Sequence, residues 1–227
     1  MKRLVTTLAL LVVCAGTASA ANQMRISQVY GGGGGTTGVY TRDFVELYNS
    51  GVTPVNIGGW TIEYGSATGA WGSSTGNIFT FPVGTTVQPC QYILIECGAA
   101  GTGGVALSPA ADFQTALTGF SMSGTGGKVA LFNAVNSNVL CGSEIAGTLV
   151  DKVAYGTANC AEGTAVSGVT AAVAVIRNSG GNTDTDNNSV DFATGTPTPR
   201  NSSSTNAACS ATPTTRSTWG SVKAIYR

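Results

Sequence analysis

Apolar and β-branched residues occur in this chain only as short runs, each closed off by Gly, Pro, Asn or Ser, and no segment sustains a helical period. The runs are "MRISQVY" (24–30), "FVELYN" (44–49), "WTIEY" (60–64), "IFTF" (78–81), "YILIE" (92–96), "KVALFN" (128–133), "LVDKVAY" (149–155) and "AVAVIRN" (172–178). They predict an all-β sandwich or barrel of about eight or nine strands joined by tight turns. In "FVELYN" the alternation sends Val45 and Leu47 to a core face and Phe44, Glu46 and Tyr48 to a semi-exposed one.

Five consecutive glycines, residues 31–35, follow the first run directly. A phosphate-binding loop needs its glycines to open onto a helix, usually with Lys-Ser or Lys-Thr at its start, so that backbone N–H groups and the lysine meet the anion. Here Thr36, Thr37 and Gly38 come next, and another strand begins near Asp43. The glycines therefore read as a flexible loop between strands, at one end of the sandwich.

The chain opens with Met1-Lys2-Arg3, an apolar stretch and then Ala18-Ser19-Ala20, the layout of an export signal over 1–20 cleaved after Ala20. The apolar stretch is too short to span a bilayer. Val13 before Cys14 is not a small residue, so Cys14 reads as part of the signal's core. Cleavage removes two of the 11 basic residues and leaves all 11 acidic ones. A weakly acidic chain without a basic block has little non-specific hold on nucleic acid.

Histidine is absent. That removes Ser-His-Asp hydrolysis, Cys-His proteolysis and His-based zinc chemistry, which all need an imidazole near neutral pH. Carboxylate chemistry stays open. Glu46 with Glu63 or Asp43 is the candidate pair, although Asp43 lies three residues from Glu46 and so on the opposite face of a regular strand.

Export predicts oxidised cysteines, and an odd set of five, Cys90, Cys97, Cys141, Cys160 and Cys209, follows the signal. Cys90 and Cys97 bracket an extended run and would stand about 20 Å apart, too far for a bond. Cys141 and Cys160 flank "TLVDKVAYG" in Gly-rich loops that can fold back, which makes them the preferred disulfide. The pairing of Cys90, Cys97 and Cys209 is left open.

Several segments resemble the lamin-tail domain in its exported bacterial form: "RISQVYGGGGG", "DFVELYNSGVTPVNIGGWTIEY", "GKVALFN", "VDKVAYG", "NTDTDNNSVDF" and "TPRNS", in the family's order over residues 22–202. The resemblance implies an immunoglobulin-like β-sandwich of Greek-key type. It also implies an interaction module: in nuclear lamins the domain contacts proteins and chromatin, and in bacteria it often stands beside nuclease, phosphatase or other hydrolase domains. Catalysis by the domain itself is not implied.

Trp60, entering a strand after Gly58-Gly59, reads as a core residue. Trp71 sits in the polar loop "SATGAWGSSTG" and has two readings, a surface recognition residue or a loop anchor. Asp184, Asp186, Asn188 and Asp191 also have two readings. Their alternation suits a Ca²⁺ loop, though one departing from the EF-hand at Ser189 and Gly195, and it equally suits a turn held by Asx hydrogen bonds.

From Pro197 onward the chain turns Ser/Thr/Pro-rich and reads as a linker, with 203–216 as its body, before an aromatic and basic tail over 217–227 that suits sorting or docking. These features predict an exported, non-catalytic binding or surface-structural module that contacts protein or an envelope component and requires no cofactor. The alternative is an accessory that supplies substrate contact to a separate nuclease or phosphoesterase. A basic groove drawn from Arg25, Arg42, Lys128, Lys152 and Arg177 would favour it.

Overall fold

The computed structural model describes residues 23–205. The signal cleavage after Ala20, Cys209 and the tail over 217–227 lie outside these residues. Twelve strands run in order: β1 (Met24–Tyr30), β2 (Asp43–Asn49), β3 (Val55–Asn56), β4 (Thr61–Ser66), β5 (Ile78–Thr80), β6 (Thr86–Val87), β7 (Tyr92–Cys97), β8 (Phe113–Gln114), β9 (Gly127–Phe132), β10 (Leu149–Tyr155), β11 (Ala174–Arg177) and β12 (Phe192–Gly195). All eight runs expected from the sequence appear, within two residues at either end. The added β3, β6, β8 and β12 are too short to show a period.

One sheet has the order β12-β11-β1-β2-β7-β8, and the facing sheet has β10-β9-β4-β5. The chain crosses between them after β2, β5, β8 and β10, as an immunoglobulin-like sandwich requires. Alternate residues meet between the sheets: Ile26, Val45, Leu47, Ile93 and Ile95 from one side, and Ile62, Val129, Leu131 and Val153 from the other.

The outer faces are buried as well, which corrects the semi-exposed face expected for β2. Every residue of β2 is buried. Phe44 joins Tyr30, Leu94, Leu107 and Ala174 in a second cluster covered by Val39 and Tyr40. Beside it Glu46 is fully buried, and its carboxylate accepts hydrogen bonds from Ser27, from the Arg200 backbone N–H at 2.6 Å and from Arg200 Nη2 at 2.7 Å. The Arg200 guanidinium lies 3.9 Å from the centre of the Tyr92 ring. Trp71, Ala130, Phe132 and Cys160 form the corresponding cluster outside the second sheet.

Arg200 belongs to the stretch whose composition turns linker-like from Pro197, yet it lies within the 22–202 span of the resemblance and is packed against the sheet. The Thr198 backbone donates to Gln28 Oε1 and accepts from Gln28 Nε2, both at 2.9 Å, and Asn201 Nδ2 donates to the Ala110 carbonyl at 2.9 Å. Ser202 donates to Asp112. A strand face carrying a buried carboxylate needs a cation and donors delivered to it, and this strap supplies them.

The glycine run is also corrected. It does join β1 to β2, but it is wedged rather than flexible. A Cβ on Gly32 would meet the Ala171 carbonyl oxygen at 1.8 Å, and one on Gly33 would meet the Arg42 carbonyl carbon at 2.0 Å. Gly34 has φ of +72° and pairs with Gly103. Gly35 is different, since its nearest contact would be an ordinary 3.6 Å. Gly32→Ala and Gly33→Ala are therefore expected to lower unfolding free energy by about 1–3 kcal/mol or more, and Gly35→Ala by less than about 0.5 kcal/mol. Urea titration of the three variants checks this, and equal losses would contradict the packed loop.

Candidate functional site

The connection from β9 to β10, residues 133–148, is held in shape from within. Asn136 is fully buried and serves as its hub, because an amide side chain offers both donor and acceptor. Its backbone N–H donates to Glu63 Oε1 at 2.7 Å, its Nδ2 donates to Thr148 Oγ1 at 2.9 Å, and its Oδ1 accepts from the Ile145 N–H at 2.8 Å. Thr148 Oγ1 donates to the Ile145 carbonyl at 2.6 Å. Burial raises the Glu63 carboxyl above its usual range against the bonds from Asn136 and Thr61.

The other flank is fastened covalently. Cys141 and Cys160 form a disulfide with Cα atoms 5.6 Å apart. Trp71 and Val139 exchange backbone hydrogen bonds of 2.8 and 3.3 Å, and the Trp71 indole N–H donates to Glu144 Oε1 at 2.8 Å. Burial pushes the Glu144 carboxyl upward, but the bonds from Trp71 and the Gly142 backbone outweigh it and hold the pKa below its usual value. With these polar groups turned inward, aliphatic side chains face out. Val135, Leu140 and Ile145 are 45%, 63% and 55% exposed.

Trp71 itself is fully buried, packed edge-on to Phe132 with ring centres 5.9 Å apart. Of its two readings the loop anchor describes it, and the surface recognition residue is corrected. Trp60 packs half-buried against the core. The exposed aliphatics of this loop, Val135, Leu140 and Ile145, escape a sequence reading because isolated aliphatics between Asn, Ser and Gly carry no period.

In the segment 184–191, offered for Ca²⁺ or for an Asx-held turn, most of the oxygens are engaged by protein partners. Asp184 pairs with Arg25 at 3.1 Å and Arg177 at 3.3 Å. Asp191 is buried and accepts from the Thr185 N–H at 2.9 Å, from Thr185 Oγ1 at 2.8 Å and from the Asn187 N–H at 3.2 Å. Asn188 is turned away, accepting from the Ala154 N–H at 2.9 Å and donating to the Lys152 carbonyl at 3.0 Å. Asp186 is exposed at φ of 56°. These ion pairs and hydrogen bonds are those of an Asx-held turn.

The carboxylate pair is not assembled either. Glu46 and Glu63 lie on different sheets, and Asp43 accepts from the Gly33 and Met122 N–H groups at 2.8 and 2.7 Å. The basic residues are dispersed. Arg42 sits 3.8 Å from Glu96, Arg25 and Arg177 are held by Asp184, and Lys128 is buried. Cys97 is a buried free thiol, whereas Cys90 is disulfide-bonded. Among the described residues no helix is long and apolar enough to cross a membrane.

Fold and loops together define an immunoglobulin-like module with sheets covered on both faces. The model of the Lamin Tail Domain family matches residues 17–157, more than half of the sequence, and the chain belongs to that family. Among solved structures it is similar to a DUF4876 family protein from Bacteroides thetaiotaomicron VPI-5482, at 16% identity and a TM-score of 0.51, over 76% of this chain and 70% of that one. At that identity the likeness concerns the fold. No curated protein matches the chain.

The turn that holds Asn188 also sets a pH response. Glu162 accepts from Asn188 Nδ2 at 3.3 Å, and burial first, then the charges of Asp151 and Asp184, push its carboxyl up to about 8. A carboxyl raised in the folded state favours folding fully below its unfolded value, and that contribution is lost as pH rises through the folded one. The melting temperature is expected to fall between about pH 5 and pH 9, and to fall less in Glu162→Gln. Parallel melting curves for the two proteins would contradict the assignment.

Proposed function

We propose that this chain is an exported, non-catalytic binding module that contacts a protein or envelope component through the loop between β9 and β10. The observation that carries the reading is the exposure of Val135, Leu140 and Ile145 on a loop whose polar groups are bonded inward and whose flank is closed by Cys141–Cys160. Ordering such a loop in advance lowers the entropic cost of association, and apolar side chains supply the contact energy. The disulfide favours an oxidising location. Internal bonding of Glu46, Glu63 and Asp43 supports a non-catalytic role. The dispersed, paired arginines speak against the nucleic-acid accessory reading.

A Val135→Ser/Leu140→Ser/Ile145→Ser variant is expected to keep its melting temperature and to capture at least about tenfold less of the partner retained by the parent chain from the native extracellular fraction. Equal capture by the two proteins would move the binding surface elsewhere.

A further inference from the structure

Lys128 stands in β9 between Gly65 of β4 and Ala154 of β10, and it is fully buried. Gly65 leaves room for its stem, since a Cβ there would come within 2.8 Å of Lys128 Cε. The amine reaches the outer face of the sheet, 5.3 Å from the centre of the Trp71 ring, and donates to Asn159 Oδ1 at 2.7 Å. Among the described residues no carboxylate stands within ion-pair distance of it. A buried ammonium with an amide and an aromatic ring for company is costly unless its charge is removed. Burial lowers the Lys128 pKa, with the Glu144 charge opposing, so the free amine is more populated than on a surface lysine.

We propose that Lys128 and Asn159 become joined by an isopeptide bond. After the ammonium has given one proton to water at the exposed Asn159 edge, the neutral lysine Nζ attacks Cγ of the Asn159 carboxamide, the Nζ–Cγ bond forms, and the Cγ–Nδ2 bond breaks. Nδ2 leaves as ammonia after taking a proton from Nζ. No oxidant, reductant or further reactant enters. The hydrogen bond already places Nζ against the carboxamide, one bond from the carbon it attacks, which is the kind of preset approach that makes an intramolecular acyl transfer feasible. The Asn159 backbone is fixed by its N–H bond to the Ala67 carbonyl at 2.9 Å, and its exposure gives the ammonia an exit and water a path for the proton. Asn159 adjoins Cys160, so the new bond is a second covalent tie beside the disulfide, and it converts a buried cation into a neutral amide.

Intact mass spectrometry of the folded, then reduced and denatured chain tests this. The expected mass is about 17 Da below that of the mature sequence, the loss of one ammonia. Proteolysis is expected to release the Lys128 and Asn159 peptides as one linked species. Lys128→Arg and Asn159→Ala are each expected to abolish that deficit and the link. Full mass with two separate peptides in the parent chain overturns the proposal. So does a deficit that maps to a cyclised asparagine or N-terminus without the linked species.

Discussion

The two sheets are locked together at Arg177. Its guanidinium is fully buried at the end of β11, where Nε donates to the Ile26 carbonyl at 2.8 Å and Nη2 donates to Asp151 Oδ2 at 2.6 Å. The same Asp151 oxygen accepts from the Ile26 N–H at 2.6 Å, so one carboxylate on β10 bridges to a strand of the opposite sheet. Both partner strands carry a register shift there, between Ile26 and Gln28 in one pair and between Leu149 and Asp151 in the other. The irregularities lie beside the residues that Asp151 and Arg177 bridge, and Ile26 lies outside the β1–β11 pairing, which covers Gln28 and Val29. Neither charge could be buried without the other.

This arrangement also decides the fate of the acidic turn. Arg177 Nη1 lies 3.3 Å from Asp184 and 3.9 Å from Asp191, and its guanidinium stacks 4.3 Å from the Phe192 ring. A fixed cation in the midst of the carboxylates does the neutralising that a bound metal ion would otherwise have to do. The segment "NTDTDNNSVDF" resembles an ion-binding loop in its composition because both tasks call for closely spaced oxygens. What separates them is an arginine that the sequence does not place nearby in space.

The main strands are legible because alternation over several residues is a local signal. So is the Cys141–Cys160 bond, whose two residues flank a single strand and fold back together. The covering of the outer faces is not legible. Glu46 is matched by Arg200, 154 positions away, and Trp71 by Glu144, 73 positions away. Composition misleads in both places: "TPRNSSS" has the residues of a linker, and "SATGAWGSSTG" those of an exposed loop. Each is anchored instead by one large side chain entering a face that needed a partner. The glycine run misled similarly, since residues chosen for close backbone approach look the same in sequence as residues chosen for freedom.

Covering both faces of a sandwich changes where recognition can occur. An immunoglobulin-like domain with a solvated sheet can bind through that sheet, but here the outer faces are filled by Phe44 and Leu94 on one side and by Trp71 and Phe132 on the other. The proposed recognition surface therefore falls on connections whose own polar groups are already bonded. Family membership sets the sandwich and is silent on the partner, because function resides in such grafted sites. The β9–β10 loop fits the proposed binding role better than the glycine run does. It combines exposed aliphatics with a buried hub at Asn136 and a covalent flank, so contact with a partner adds apolar burial without ordering the backbone anew.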